Sequence, residues 1–384
     1  MLIGDVFDVM AGLPDGDFDL ICTSPPFWRQ RAYLPADHPD KSKEIGQEST
    51  PAEYVDVMLR LTAEWRRLLS PYGSLVVEMG DTMAGSGGDG QPRFVGSAHS
   101  RSQADGSHRP NRVLAQALPK SHCNIPELYR TALVYGDWPI LTGNKHQAGR
   151  WIQRNDAVWC RPNPTPGDDS DKFRRATSDI MCFTLNPRRW WDGEAVRVAA
   201  SESNIPSRNG QDYGADTDGH ERRLDSYEAS GTRPLYDWWD IAPYGYSGAH
   251  YAVWTPEIAR RLILTMCPAK VCRECGEPSR RIVERTANPA RDQASRDPSA
   301  NGQRVNAPDY PPEVGWERDV RTVGWSDCGH NAYRAGRVLD PFGGSGTTAA
   351  IATGHGRHCT LIDIDSRNAD LAMSRVGMLL EVAP

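Results

Sequence analysis

Nowhere in the 384 residues is there an apolar run long enough to cross a bilayer, so a transmembrane helix is not expected. A charged-then-apolar leader is missing as well. Met1-Leu2-Ile3-Gly4-Asp5 reads instead as a strand running into a turn, and the expectation is a cytoplasmic protein with no membrane partner. Cysteines number nine, odd and scattered, which argues against a secreted disulfide framework and for reduced thiols with one metal site. A basic excess is also lacking: the formal charge is -6, which argues against an indiscriminate nucleic-acid binder. That average hides an asymmetry. Residues 93–161 carry ten Lys/Arg against four Asp/Glu, so one face can still meet phosphate.

What is present is enough apolar content, 39%, for one large or two medium domains, with much loop implied by 35 Gly and 29 Pro. The organising stretch is Thr23-Ser24-Pro25-Pro26-Phe27-Trp28, which follows the apolar run Phe18-Asp19-Leu20-Ile21-Cys22. The run reads as a buried parallel strand that the prolines end at its carboxyl side, where ligands bind in open α/β sheets. Proline fixes its own φ, so Ser24 and the Pro25 carbonyl are held beside the Phe27 ring. Two acceptors beside an aromatic face suit a planar amine; a bare strand ending in a Pro-Pro turn is the alternative.

Around this stretch the chain reads as alternating α and β. Met1-Leu2-Ile3-Gly4 is a strand, Val6 to Leu13 has helical spacing, and Thr50-Pro51-Ala52-Glu53 opens a helix with a capping-box signature. Ser70-Pro71-Tyr72-Gly73 reads as a turn into the strand Leu75-Val76-Val77-Glu78-Met79, completing a βαβ unit. Gly85-Ser86-Gly87-Gly88-Asp89-Gly90 lies in a loop, and helical spacing resumes near Pro126. Strands are expected at residues 157–160 and 180–185. Residues 201–246 mix polar residues with Tyr213, Tyr227, Tyr236, Trp238, Trp239, Tyr244 and Tyr246, which suits either stacking on bases or packing under a long loop. The expected segments are 1–80, 81–161, 162–248, 249–271, 272–330 and 331–384.

Cys272-Arg273-Glu274-Cys275-Gly276 and, much later, Cys328-Gly329-His330 supply the four soft or borderline donors of a closed tetrahedral zinc site. Two unrelated cysteine clusters are the alternative. Residues 280–321 mix eight arginines with seven carboxylates and read as a solvated excursion.

Near the C-terminal end, Val338-Leu339-Asp340 is a strand, Pro341-Phe342-Gly343-Gly344-Ser345-Gly346 a tight loop and Thr347 the start of a helix. Cys359-Thr360-Leu361-Ile362-Asp363 is the next strand, ending in an acid. Glycines let a backbone approach a ligand, and a carboxylate at the second strand's end takes ribose hydroxyls. A P-loop would need Gly-Lys-Thr and a dinucleotide fold G-x-G-x-x-G; neither is here. The expected ligand is a nucleoside without a polyphosphate.

Asp340-Pro341-Phe342-Gly343-Gly344-Ser345-Gly346-Thr347-Thr348 together with Thr23-Ser24-Pro25-Pro26-Phe27 resembles the amino-group DNA methyltransferases that use S-adenosylmethionine. With the catalytic motif first and the cofactor motif last, the order resembles their permuted beta class. Gly4-Asp5, Ile45-Gly46-Gln47-Glu48, Gly80-Asp81, Pro162-Asn163-Pro164 and His250-Tyr251-Ala252 extend the likeness. The resemblance implies an α/β fold with a doubly wound, mostly parallel Rossmann-like sheet, circularly permuted and carrying loop-rich insertions. It also implies a modification enzyme of the restriction-modification kind, acting on double-stranded DNA as a monomer or homodimer.

Carried over by residue, Asp340 and the glycine loop of Phe342, Gly343, Gly344, Ser345 and Gly346 would hold the methionine end, with Thr23 and Thr347 as further cofactor-binding residues. Asp363 would take the ribose, Asp5 the adenine amine, and Thr255 beside Trp254 would help close the methionine pocket. The target base would be flipped out and stacked on Phe27, with Ser24 and the Pro25 carbonyl accepting from its exocyclic amine and Pro26 completing the motif. A serine before Pro-Pro is commoner among the cytosine-N4 enzymes, so cytosine is the expected base and adenine-N6 the alternative. RNA methylation and a catalytically idle binding protein are further alternatives. Two departures stand out: Asn368 where many relatives place an aromatic, and Ser178-Asp179 in place of a His-Glu pair.

Overall fold

The computed structural model describes residues 1–84, 117–118, 120–136, 146–164, 171–199, 232–243, 255–285 and 320–377. The glycine-rich stretch at 85–90, Tyr213, Tyr227, Tyr244, Tyr246, the His250-Tyr251-Ala252 motif, Trp254 and most of the 280–321 excursion lie outside the described residues. The chain divides into two units. The first holds Met1–Trp191, Tyr236–Pro278 and Asn331–Pro384, and the second Asp192–Leu235 and Ser279–His330.

A nine-stranded sheet forms the first unit. Its strands are β1 (Leu2–Ile3), β2 (Phe18–Thr23), β3 (Leu69–Met79), β4 (Ile152–Gln153), β5 (Ala157–Cys160), β6 (Thr177–Thr184), β7 (Trp238–Asp240), β8 (Arg337–Asp340) and β9 (His358–Asp363). The order is β1-β9-β8-β2-β3-β6-β5-β7, with β4 also on β6. Pairing from β1 to β3 is parallel throughout, whereas β6 runs antiparallel to β3, β4 and β5. Every residue of β2 is buried, as a central strand covered on both faces requires.

The C-terminal strand β8 pairs directly with the N-terminal β2, and Asp19 fastens that junction. Its carboxylate accepts from Arg334 Nη1 at 2.6 Å and from the Arg337 amide at 2.9 Å. Asp19 is 4% exposed, so removing Arg334 would leave a buried charge without its main partner.

Helices α1 (Val6–Ala11), α2 (Pro51–Leu68), α3 (Ile125–Tyr135), α4 (Pro256–Met266), α5 (Thr347–Gly354) and α6 (Arg367–Val376) accompany the sheet. The helix α2 starts where its sequence signals: Thr50 Oγ1 accepts from the Glu53 amide at 3.2 Å, and Glu53 Oε2 accepts from the Thr50 amide at 3.1 Å. Such a cap contributes about 1 kcal/mol. Tyr54, Met58, Leu61, Trp65 and Leu68 then bury one face, each worth roughly 1.5–3 kcal/mol on transfer from water.

One local expectation is corrected. Ser70-Pro71-Tyr72-Gly73 is not a separate turn: β3 already pairs at Leu69, opposite Phe18, and its register shifts before Leu20 pairs with Ser74. Pro71 is tolerated because it sits exposed in this irregular stretch. Among the aromatics of the 201–246 stretch, Trp239 is buried while Trp238 is 54% exposed.

The second unit contains two short antiparallel pairs, Val198–Ala199 with Thr232–Arg233 and Arg281–Arg285 with Val320–Trp325. Arg281 links its parts, donating from Nε and Nη2 to Asp192, each at 2.8 Å. Its guanidinium also lies over the Trp325 ring. No described helix is long and apolar enough to cross a membrane.

Candidate active site

The carboxyl ends of β1, β2, β8 and β9 meet at one cavity of about 210 Å³. It is lined by Asp5, by Ser24, Pro25, Pro26 and Phe27, by Asp340, Phe342, Gly343, Gly344, Ser345 and Thr347, and by Asp363. The two motifs, more than 300 positions apart in the chain, thus share one wall because β8 lies against β2. This is the crevice position that open α/β sheets reserve for ligands. Thr23, Gly346 and Thr255 do not line the cavity. Thr23 donates to Asp340 of the cavity wall, Gly346 caps α5, and Thr255 caps α4 with its hydroxyl accepting from the Ile258 amide.

Ser24 donates its hydroxyl to Glu78 Oε2 at 2.5 Å. Glu78 sits near the end of β3, 3% exposed. Burial raises its carboxyl above the usual range, while hydrogen bonds from Ser178 and Ser24 and the charges of Arg161 and Arg175 pull it down. Ser178 in turn accepts from Arg161 Nη1 at 3.0 Å, so a chain of polar contacts runs from Arg161 to Ser24. Sequence reading passed over Glu78. The signal that could have found it is an acid inside an apolar run, since a buried carboxylate needs partners.

The prolines are held from behind. Tyr54, fully buried, donates to the Pro26 carbonyl at 2.9 Å. The Phe27 ring packs flush on Gly80, where an added Cβ would come within 2.6 Å of it. Trp28 Nε1 and Arg29 Nε both donate to the Glu48 carbonyl, at 2.9 and 3.0 Å. Arg29 itself has φ 54°, a left-handed conformation that turns the chain away after the motif.

Asp340 lines the cavity and its carboxylate also braces the loop. Its carboxylate accepts from Thr23 at 2.8 Å, from Thr348 at 2.6 Å and from the Phe342 amide at 3.2 Å. Burial raises its carboxyl, and these bonds oppose the rise. Gly343 lies so close to β9 that a Cβ would be 2.7 Å from Leu361 Cβ, and Gly346 has φ +78°, so both positions need glycine.

Asp363 closes the far motif. It accepts from the Gly344 amide and the Asp365 amide, each at 2.8 Å. Burial pushes its carboxyl up to about 6, against the pull of the Asp365 amide, Asn368 and the Gly344 amide. Asn368, the position without the expected aromatic, therefore serves as a hydrogen-bonding partner of Asp363. Asp5 caps α1, with Oδ1 accepting from the amides of Phe7 and Asp8 at 3.0 and 3.2 Å.

The four expected zinc ligands fall two in each unit: Cys272 and Cys275 in the first, Cys328 and His330 in the second. Within the first, the Gly276 amide donates to the Cys272 carbonyl at 3.1 Å and Gly276 has φ +72°, a tight knuckle. Within the second, Gly329 has φ +85° and donates to Asp327 Oδ1. Of the basic residues in the 93–161 stretch that are described, Arg130 pairs with Asp156 and Asp179, and Lys120 with Asp171.

Known proteins bear on this geometry. The family model for N6 and N4 methyltransferases, described as DNA methylase, matches residues 18–270. The chain is 22% identical to the Type II methyltransferase M.SmaI of Serratia marcescens, over 98% of this chain and 90% of that protein. It is 25% identical to the Type II methyltransferase M.Cfr9I of Citrobacter freundii, over 68% of this chain and 70% of that protein. In fold it is similar to the PvuII DNA methyltransferase (cytosine-N4-specific), with a TM-score of 0.50 at 13% identity, over 99% of this chain and 87% of that one. With the family model covering well over half of its length and a motif-lined cavity at the expected edge of the sheet, the chain belongs to the DNA methylase family of amino-group methyltransferases.

Proposed function

We propose that this protein transfers a methyl group from S-adenosylmethionine to the exocyclic N4 amine of a cytosine flipped out of duplex DNA. The observation that carries the reading is the 2.5 Å bond from Ser24 to Glu78. A serine hydroxyl has one proton and two lone pairs. With the proton committed to Glu78, Ser24 meets an incoming amine only as an acceptor. The amine nitrogen of cytosine is a poor nucleophile while its lone pair is delocalised into the ring. Accepting from its N–H bonds, Ser24 and the Pro25 carbonyl favour a localised lone pair, and Phe27 supplies a face for the base.

When bound, S-adenosylmethionine supplies a methyl on a sulfonium, which the amine displaces directly. The new N–C bond forms as the S–C bond breaks, the electron pair stays on sulfur, and the amine must then lose one proton. Ser24 can pass that proton to Glu78 as its own hydroxyl proton moves across. The donor set fits the nucleoside part of this cofactor: Asp363 is a carboxylate at the cavity wall, suited to ribose hydroxyls, and Gly343 and Gly344 bring bare backbone alongside. Asp5 would offer Oδ2 to the adenine amine, because both of its capping bonds use Oδ1.

We assign Cys272 and Cys275, two thiols at one tight turn of the first unit, to a soft metal ion such as zinc. The test of the main reading is single-molecule sequencing of DNA from cells expressing the protein. N4-methylcytosine at one recurring sequence, absent with Ser24→Ala, supports it. N6-methyladenine there would keep the chemistry and change the base.

A further inference from the structure

Lys120 Nζ lies 2.6 Å from Asp171 Oδ2, and Arg175 Nη1 donates to the Asp81 carbonyl. These contacts bracket residues 171–175. Midway between them Phe173 stands wholly in solvent, at a relative exposure of 101%, more than any other large apolar side chain described. Burying such a ring is worth about 1.5–3 kcal/mol, a gain open to a partner that covers it beside the active site.

The segment adjoins the active site. Asp81 follows Gly80, on which the Phe27 ring packs, and its carbonyl also accepts from Gln30 of the cavity wall at 3.4 Å. Arg175 lies three positions before Ser178, whose hydroxyl bonds Glu78. Lys172 and Arg174 flank Phe173, and the acid within the segment, Asp171, is neutralised by Lys120. Asp168 and Asp169 lie upstream, outside the described residues. Drawing a base into the cavity leaves a gap in the duplex stack, and apolar wedges between bases are a general device for holding such distortions. An aromatic ring rimmed by cations matches a stack rimmed by phosphates.

Resting on the reading that the substrate base is flipped from duplex DNA, we propose that Phe173 enters the stack at the position the target base vacates, with Lys172 and Arg174 toward the neighbouring phosphates. Two duplexes test it. One carries the sequence that the wild-type protein methylates; the other is identical but abasic opposite the target, so that no pair has to open. Single-turnover methylation is measured for wild type, Phe173→Ala and Phe173→Trp, with S-adenosylmethionine binding as the control for folding.

The expected result is Phe173→Ala about tenfold or more slower on the paired duplex. On the abasic duplex the same variant should recover to near the wild-type rate, and Phe173→Trp should retain activity on both. Wild-type behaviour of Phe173→Ala on the paired duplex, as a docking residue for another protein would give, overturns the proposal. So does an equal loss on both duplexes. Wild-type protein that methylates no DNA overturns the underlying reading too, and does so without reference to any variant.

Discussion

The Ser24 hydroxyl is bonded to the Glu78 carboxylate at 2.5 Å across the parallel pair β2 and β3, which orients Ser24 as an acceptor toward the cavity. If Glu78 also takes the departing proton, Glu78→Gln should lower the methylation rate about 100-fold or more while leaving S-adenosylmethionine affinity within about threefold. Single-turnover kinetics beside calorimetric binding separates the two effects.

The acid limb of the rate profile should respond to Arg161. Glu78 is drawn up by burial and down by Ser178, Ser24, Arg161 and Arg175; Tyr33 and Tyr54 also feel its charge. Removing a cation that favours the carboxylate raises the carboxyl further, so Arg161→Met should move the acid limb to higher pH. An unshifted limb with a uniformly lower rate would assign Arg161 a packing role on Trp159, over whose ring it lies.

Cofactor affinity should weaken as pH falls through the Asp363 titration. The free carboxyl sits at about 6, and once protonated it can no longer accept from both ribose hydroxyls. Below that pH the affinity should fall by about tenfold per unit. The same shift has a stability sign. Its folded value exceeds the usual 3.9 of an unfolded chain, so this group's contribution to folding declines as pH rises from about 4 through 6. Asp363→Asn should therefore bind cofactor poorly at every pH, yet gain in melting temperature relative to wild type as pH increases.

A single methyl at Gly80 should separate base handling from cofactor binding. The Cβ of Gly80→Ala would press on the Phe27 ring at 2.6 Å, and the ring is the side that can move. Methylation should drop about tenfold with cofactor affinity retained, as expected when only orientation is disturbed.

Much of this site was readable before any coordinates. The Pro-Pro end of a buried strand, the glycine loop and the acid that ends the next strand all carry local signals, as does the Thr50 cap. What could not be read depends on contacts distant in sequence. Glu78 looks like one acid in a strand until β3 lies beside β2, 54 positions from Ser24. Nothing local to Asp340 reveals that its carboxylate also accepts from Thr23, Thr348 and the Phe342 amide. Pro71 and Gly73 read as a turn because pairing across the β2–β3 irregularity overrides their local preference.

The central claim is most directly tested by nucleoside mass spectrometry of unmethylated duplex DNA incubated with the protein and S-adenosylmethionine, alongside Ser24→Ala and Glu78→Gln. The account predicts N4-methylcytosine with wild type and its loss or near-loss with both variants. N4-methylcytosine at the wild-type level with Glu78→Gln would contradict the role given to the Ser24–Glu78 pair, and no methylated base with wild type would contradict the assignment of activity.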